Sequence, residues 1–93
     1  MQKIIIKTMD LSEAKKLGID SWSTWECEPS SFRWHYPEQE TAYIYEGEVI
    51  VTVGNQQTHI TAGMLVSFPQ GMDWHWDVKK KIRKAYTFNY PID

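Results

Sequence analysis

The sequence predicts a single all-β domain, a small antiparallel barrel or sandwich with one short helical turn near the N-terminus. The length of 93 residues predicts one domain over residues 1–93, because a chain of this size has room for one compact core. From residue 21 onward, short segments rich in apolar and aromatic residues follow one another, with glycine or proline between them. Strands at this spacing are typical of small antiparallel barrels and sandwiches.

The N-terminal part of the chain predicts one strand and one short helix. Residues 3–7 are a short run that contains three isoleucines, and β-branched side chains favour strands. Asp10 can accept a hydrogen bond from the backbone of Glu13, and Glu13 can return one, which is a pairing that begins helices. Gly18 ends the segment. The helix is therefore expected within residues 11–17, with two turns at most.

The rest of the chain predicts a series of strands. Gly47 marks a bend or bulge in the longest of them, and residues 54–57 form a hairpin turn. A basic run at residues 79–84 predicts a solvent-exposed turn with its flanking strand. The predicted strands are residues 21–26, 32–36, 41–53, 58–61, 65–68, 74–78 and 85–90.

The composition argues against several classes of partner. The chain has 10 Lys and Arg against 12 Asp and Glu, a net charge of −2, which gives no reason to expect binding to nucleic acid or to an anionic membrane. No apolar run approaches the roughly 20 residues of a membrane span. The single cysteine, Cys27, excludes an internal disulfide and favours a reducing compartment. We therefore expect a cytoplasmic protein.

Two pieces of the sequence have a characteristic spacing. Glu40 is followed after six residues by Gly47, and Gly63 is followed after five residues by Pro69, with Gly71 two positions further on. Together they resemble the paired motifs of the cupin superfamily. The resemblance implies a cupin-type double-stranded β-helix, that is, a jelly-roll barrel.

A wider set of residues narrows this resemblance to a subgroup. The residues that carry it are Trp22, Trp25, Glu26, Cys27, Phe32, Trp34, Tyr36, Glu40, Tyr43, Glu46, Gly47, Glu48, Val51, Thr52, Gly63, Phe68, Pro69, Gly71, Trp76, Val78, Arg83, Lys84 and Tyr86. They resemble small stand-alone cupins of the ethanolamine-utilisation and ureidoglycine aminohydrolase-like kind. Cupins include enzymes, sugar isomerases, transcription-factor domains and storage proteins, so the resemblance is more specific for fold than for function.

The resemblance also implies where a metal would be held. Metal-binding cupins hold a divalent ion with two or three imidazoles and one carboxylate, a set that manganese, iron, nickel or zinc accepts. Glu40 stands at the carboxylate position, but the histidine positions fall on Trp34, Tyr36 and Trp74. An indole N–H only donates and cannot bind a metal. The resemblance therefore implies a degenerate metal site with no metal cofactor.

A shift of one residue in the strand at residues 32–36 would restore part of the metal site. Arg33 and His35 would then take the first histidine positions, and His75 lies one residue beyond the second. Neighbouring residues of a strand face opposite sides, so the two registers exclude each other unless the strand has a bulge. In the shifted register, His35, Glu40 and His75 would hold one divalent transition metal.

In the unshifted register, five side chains line the mouth of the barrel. They are Trp34, Tyr36, Glu40, Trp74 and Trp76. Flat aromatic faces suit a sugar ring, a heterocycle or a cationic amine, the last with Glu40 as its counter-ion. The alternative is that the tryptophans fill the barrel and leave no cavity.

Three functional hypotheses follow. The first is a small-molecule-binding cupin with a degenerate metal site and an aromatic barrel pocket. The second is a metal-dependent cupin enzyme acting on a small carboxylate or nitrogen-containing metabolite, so the sequence leaves open whether the chain is an enzyme. The third is a structural or dimerisation module, in which the strand at residues 3–7 pairs at a sheet edge to form a homodimer.

Overall fold

The computed structural model describes residues 3–92, and this part of the chain is mostly β-sheet, as predicted. Two short helical segments lie near the N-terminus, and the remaining elements are strands. The elements are β1 (Ile5–Thr8), α1 (Leu11–Lys15), a 3₁₀ turn (Ile19–Ser21), β2 (Ser23–Cys27), β3 (Ser30–His35), β4 (Glu40–Val53), β5 (Gln56–Thr61), β6 (Met64–Phe68) and β7 (Asp73–Phe88).

Helix α1 begins at the predicted cap. Oδ1 of Asp10 accepts a 2.8 Å hydrogen bond from the backbone N–H of Glu13, and Oε1 of Glu13 accepts one from the backbone N–H of Asp10 at 3.3 Å. Gly18 ends the segment with a φ of 90°, which glycine adopts without steric cost. The 3₁₀ turn that follows is not predicted by the sequence, and it buries Ile19. No helical segment within residues 3–92 is long and apolar enough to cross a membrane.

The two long strands, β4 and β7, organise the sheet because they pair antiparallel along most of their length. The first half of β4 also pairs with β6, which pairs with β1, and the second half of β7 pairs with β2. The second half of β4 pairs with β5, and the first half of β7 pairs with β3. The result is a five-stranded sheet (β1-β6-β4-β7-β2) and a four-stranded sheet (β5-β4-β7-β3) that share the two long strands. This is the predicted double-stranded β-helix, or jelly-roll barrel.

The hydrophobic core lies between these two sheets. The five-stranded sheet contributes Ala42 and Ile44, and the four-stranded sheet contributes Val49 and Val51. Tyr43, which alternates with the first pair along β4, points to the outer face and joins a second cluster beneath the helical segments. Side-chain alternation therefore gives each sheet one face toward the barrel interior.

Strand β1 lies at the end of the five-stranded sheet. Among the strands that the structure describes, it pairs with β6 alone. The N-terminal strand is thus an edge strand, with bounds slightly later in the chain than the predicted residues 3–7. Pairing of this edge with a second chain stays a prediction.

The predicted turn at residues 79–84 is wrong, because β7 runs through this segment without interruption. The exposed ammonium groups of Lys79 and Lys81 lie 2.7 Å from a carboxylate oxygen of Asp77 and 3.3 Å from one of Glu26. The backbone of the same segment also pairs with strand β4. Acidic neighbours and continuous pairing therefore offset the repulsion between the cations, and the two predicted C-terminal strands are one.

Gly47 makes the bend that lets β4 take part in both sheets. Its φ is 108°, and the register of β4 on β7 shifts between Ile44 and Val49. A Cβ atom at this position would overlap the backbone carbonyl of Lys81 on β7. The positive φ and the close approach both require glycine, so the predicted bend is confirmed.

We expect Gly47→Ala to lower the free energy of unfolding by about 3 kcal/mol or more, because backbone strain adds to the overlap with the neighbouring strand. Gly54→Ala is the matched control. Gly54 also has a positive φ, 58°, but within residues 3–92 no atom outside its two chain neighbours lies within 4 Å of an added Cβ. The cost of Gly54→Ala is therefore expected to be about 1 kcal/mol. Urea unfolding measures both variants. Equal losses would contradict the importance of the close approach at Gly47.

Candidate ligand-binding site

A pocket of about 180 Å³ lies between the inner faces of β2, β3 and β7 and the beginning of β4. Four of the five residues expected at the barrel mouth form part of its wall, namely Trp34, Tyr36, Glu40 and Trp76. Trp34 is 46% exposed, so its ring stands where the pocket meets solvent. The other three are buried. The pocket is therefore a cleft in the barrel core with an aromatic entrance.

The fifth expected residue, Trp74, does not line the pocket. It is buried in the core of the barrel, where its ring packs edge-on against Phe68 at a centroid distance of 6.1 Å. One tryptophan thus fills barrel space while others border a cavity. The two alternatives left open by the sequence, a filled barrel and an aromatic pocket, are each realised in part.

Further aromatic residues complete the wall. They are Trp25, Phe32, Tyr86 and Phe88. The sheet register explains two of them, because Trp25 lies directly opposite Lys84 and Phe32 lies directly opposite Trp76. Side chains of directly paired residues stand on the same face of a sheet. The sequence does not show how β2 and β3 are aligned on β7, so it did not predict that Trp25 and Phe32 face the pocket.

Lys84 is the main site residue that the sequence analysis missed. Its ammonium nitrogen, Nζ, lies 2.7 Å from Oε2 of Glu40, and the two residues are only 6% and 4% exposed. Lys84 stands two positions after buried Ile82 and two before Tyr86, so strand alternation alone places it on the inner face. Because Lys84 belongs to a run of basic residues, the sequence predicted an exposed turn there.

Aromatic rings surround the buried ammonium group. Nζ of Lys84 lies 5.0 Å from the ring centroid of Trp76, 5.1 Å from that of Trp25 and 5.5 Å from that of Tyr86, all within cation–π range. Burial of an ion pair removes hydration worth several kcal/mol per ion. The attraction to Glu40 and the ring faces offset this cost. The pocket wall therefore holds a fixed carboxylate and a fixed ammonium group.

Two polar groups of the pocket wall lack a hydrogen-bond partner among residues 3–92, the hydroxyl of Tyr36 and the indole N–H of Trp76. Tyr36 is 1% exposed, and its ring stacks on Phe68 at 4.7 Å. Burial raises the pKa of Tyr36 well above its ordinary value and the negative charge of Glu40 raises it further, whereas the nearby indole N–H of Trp76 acts in the opposite direction without forming a well-aligned hydrogen bond. The hydroxyl therefore stays protonated. Buried polar groups without partners are rare in folded proteins and call for a specific explanation.

The proposed ligands of the alternative metal site are not brought together. His35 lies on the exposed face of β3, where its Nδ1 is 2.7 Å from Oδ1 of Asp73. His75 is exposed on β7, whereas Glu40 is inside the barrel. The strand thus takes the unshifted register. Throughout residues 3–92, no group of three His, Cys, Asp or Glu side chains is arranged to hold a metal ion.

The chain matches the model of the EutQ-like cupin domain over residues 14–86. A protein of the DUF861 family from Thermotoga maritima, known from a crystal structure, is 37% identical in sequence. Its alignment covers 92% of this chain and 99% of that chain, with a TM-score of 0.87. No curated protein matches this chain.

More distant structures share the fold. The EutQ protein of Clostridium difficile is 20% identical, with a TM-score of 0.67 over 97% of this chain and 69% of that chain. A putative ethanolamine utilization protein Q from Salmonella typhimurium is 16% identical, with a TM-score of 0.62 over 91% of this chain and 68% of that chain. At these identities the likeness shows the jelly-roll architecture and nothing further.

We expect the loss of either partner of the buried ion pair to destabilise the protein strongly. Lys84→Met leaves the Glu40 carboxylate buried without its partner, and Glu40→Gln does the same to the ammonium group. Each variant is expected to lose about 3 kcal/mol of unfolding free energy. The double variant buries no uncompensated charge and is expected to lose less than the sum. Urea unfolding of the four proteins at pH 7 measures the coupling.

The control for this cycle is Lys79→Met. Lys79 pairs with Asp77 at the same distance of 2.7 Å, but on the surface, with the two side chains 48% and 35% exposed. Exposed pairs contribute less than about 1 kcal/mol. Strictly additive losses in the double variant of Glu40 and Lys84 would contradict the coupling.

We expect Tyr36→Phe to raise the unfolding free energy by about 1 kcal/mol, because it keeps the ring and removes a buried hydroxyl that forms no well-aligned hydrogen bond within residues 3–92. The gain should grow above pH 10. There the unfolded chain ionises Tyr36 while the folded protein keeps it protonated, so the wild type loses stability as the pH rises and the variant lacks this contribution.

The matched control is Tyr43→Phe. The hydroxyl of Tyr43 donates a 3.0 Å hydrogen bond to the backbone carbonyl of Met9, so its removal is expected to cost about 1 kcal/mol. Thermal and urea unfolding at pH 7 compare the two variants. A loss of stability in Tyr36→Phe similar to that in Tyr43→Phe would contradict the prediction.

Proposed function

This chain belongs to the EutQ-like cupin family, and we propose that it is a small-molecule-binding cupin whose ligand occupies the aromatic pocket. The observation that carries the proposal is the pocket itself, a space of about 180 Å³ walled by aromatic rings and one buried ion pair. Protein interiors are close-packed, and large voids are rare in them. Concave sites with apolar walls and a few fixed polar groups are typical of ligand binding.

The size of the pocket favours a ligand with a single ring. An engineered apolar cavity of about 150 Å³ is large enough to hold benzene, whereas sites for drug-sized molecules begin at about 300 Å³. The space of about 180 Å³ in this barrel lies near the lower figure. A six-membered ring with one small substituent therefore matches the available space.

The entrance of the pocket supports the same proposal. Trp34 and Phe88 line it and are 46% and 45% exposed, unusually high for such large apolar side chains. Exposed apolar side chains grouped around a cavity are a common mark of a binding site. Their rings are available to stack on the face of a ligand ring, which contributes about 0.5–1.5 kcal/mol beyond the area buried.

The three ligand classes considered from the sequence do not match the pocket equally well. Glu40 already has a counter-ion inside the pocket, Lys84, so a cationic amine would have to compete for the carboxylate. Sugar rings and heterocycles need no such exchange. We therefore propose these two classes ahead of amines, and we assign no reaction to the site.

We do not expect this protein to bind nucleic acid or membranes. An anionic partner would have to use the basic run of β7, whose lysines lie beside acidic residues, for example Lys81 at 3.3 Å from Glu26. The lone cysteine, Cys27, also favours a reducing compartment. We therefore propose a small-molecule ligand and a cytoplasmic location.

We expect a panel of single-ring heterocycles, sugars and aromatic amides to contain compounds that bind, as measured by calorimetric titration in the presence of EDTA. Trp34→Ala is expected to weaken the best of them about tenfold, because a stacking ring at the entrance is lost. The matched control is Trp22→Ala. Trp22 lies outside the pocket, with its ring 5.2 Å from that of Tyr90, and its removal should change affinity less than twofold. The absence of any binder, or equal losses in the two variants, would refute the proposal.

A further inference from the structure

We infer that the pocket selects uncharged ligands that carry a hydrogen-bond donor beside an acceptor, such as an amide, lactam or urea group on a ring, over charged ligands of the same size. The inference rests on the proposed function, because it specifies the chemistry of a ligand in the same pocket. The structural feature behind it is the ion pair between Glu40 and Lys84 in the pocket wall.

The charges of the pocket wall balance each other. Among residues 3–92, Glu40 and Lys84 are the two charged residues that line the pocket, and their charged atoms are 2.7 Å apart. Together they bring no net charge. A charged ligand would either enter this apolar space without compensation or separate one partner from the other. Both routes bury an unpaired charge, which is strongly unfavourable.

The ion pair also leaves part of its hydrogen-bonding capacity unused. An ammonium group has three donors, and within residues 3–92 that of Lys84 gives one hydrogen bond, to Oε2 of Glu40. The other oxygen of Glu40 accepts none in the same part of the chain. An amide group offers a carbonyl oxygen to the ammonium and an N–H to the carboxylate. It thus satisfies both partners without breaking their mutual bond.

The aromatic ring faces that could bind a cation already contact the ammonium group of Lys84. Trp25 and Trp76 both lie about 5 Å from the ammonium nitrogen of Lys84. A cationic ligand would have to displace this ammonium group from the rings as well as from Glu40. The aromatic wall therefore adds to the discrimination against cations instead of attracting them.

Three probes of nearly equal shape test the inference at pH 7: benzamide, which is neutral and has a donor and an acceptor, benzoate, which is an anion, and benzamidine, which is a cation. Calorimetric titration of the wild-type protein is expected to show benzamide binding at least tenfold more tightly than either charged probe. This ranking needs no variant, so it does not depend on the folding of an altered protein.

Two variants then shift the selectivity, one toward the cation and the other toward the anion. Lys84→Met leaves the carboxylate unpaired, so the affinity for benzamidine relative to benzamide should rise at least fivefold. Glu40→Gln leaves the ammonium unpaired, and the relative affinity for benzoate should rise by a similar factor. Circular dichroism checks the fold of both, and Lys79→Met, which changes an exposed lysine, should keep the wild-type ranking.

The outcomes separate the inference from the proposed function. If a single-ring compound binds but benzamide is not the tightest of the three probes, the inference is overturned and the pocket remains a ligand site. If no compound of the panel binds, both are overturned. If benzamide ranks first and the two variants shift selectivity as stated, the ion pair sets the ligand class.

Discussion

The antiparallel pairing of β4 with β7 builds both layers of the barrel. Each strand crosses from one sheet to the other, so the two layers share their central strands. The bend at Gly47 makes this crossing possible, because the backbone there approaches Lys81 more closely than any side chain would allow. The shorter strands then add to the free edges of the pair. The barrel interior, and with it the pocket, exists because these two strands are long and bent.

The same pairing explains how a small barrel holds two buried charges. Glu40 is the first residue of β4, and Lys84 lies near the C-terminal end of β7. Both side chains point inward because of their positions in the strand alternation. The backbone ladder fixes the Cα atoms of both residues, so the further loss of conformational freedom on pairing is confined to the two side chains. Aromatic neighbours shield the pair from water, and that shielding strengthens its mutual attraction.

The sequence predicted the fold in most of its parts, and the site in only some. The N-terminal cap at Asp10 and the bend at Gly47 were readable because each depends on local chemistry, a capping side chain in one case and a positive φ in the other. The continuous course of β7 was not readable, since its charged segment is stabilised by partners distant in sequence. Lys84 was missed because it belongs to a run of basic residues, which predicted an exposed turn in place of the strand alternation that puts it inside. Its burial depends on Glu40, which lies 44 residues away along the chain.

Because β7 is uninterrupted, the side chains that it places in the pocket depend on the number of residues in the strand. Inner and outer positions alternate along this strand, with Lys84 and Tyr86 inside and Ala85 on the other face. Deleting one residue between Val78 and Ile82 would bring Ala85 to the position of Lys84 and remove the positive charge from the interior. A lineage of such barrels can therefore vary its ligands by exchanging side chains at constant length. Insertions and deletions, which surface loops tolerate, would here exchange the inside of the barrel with its outside.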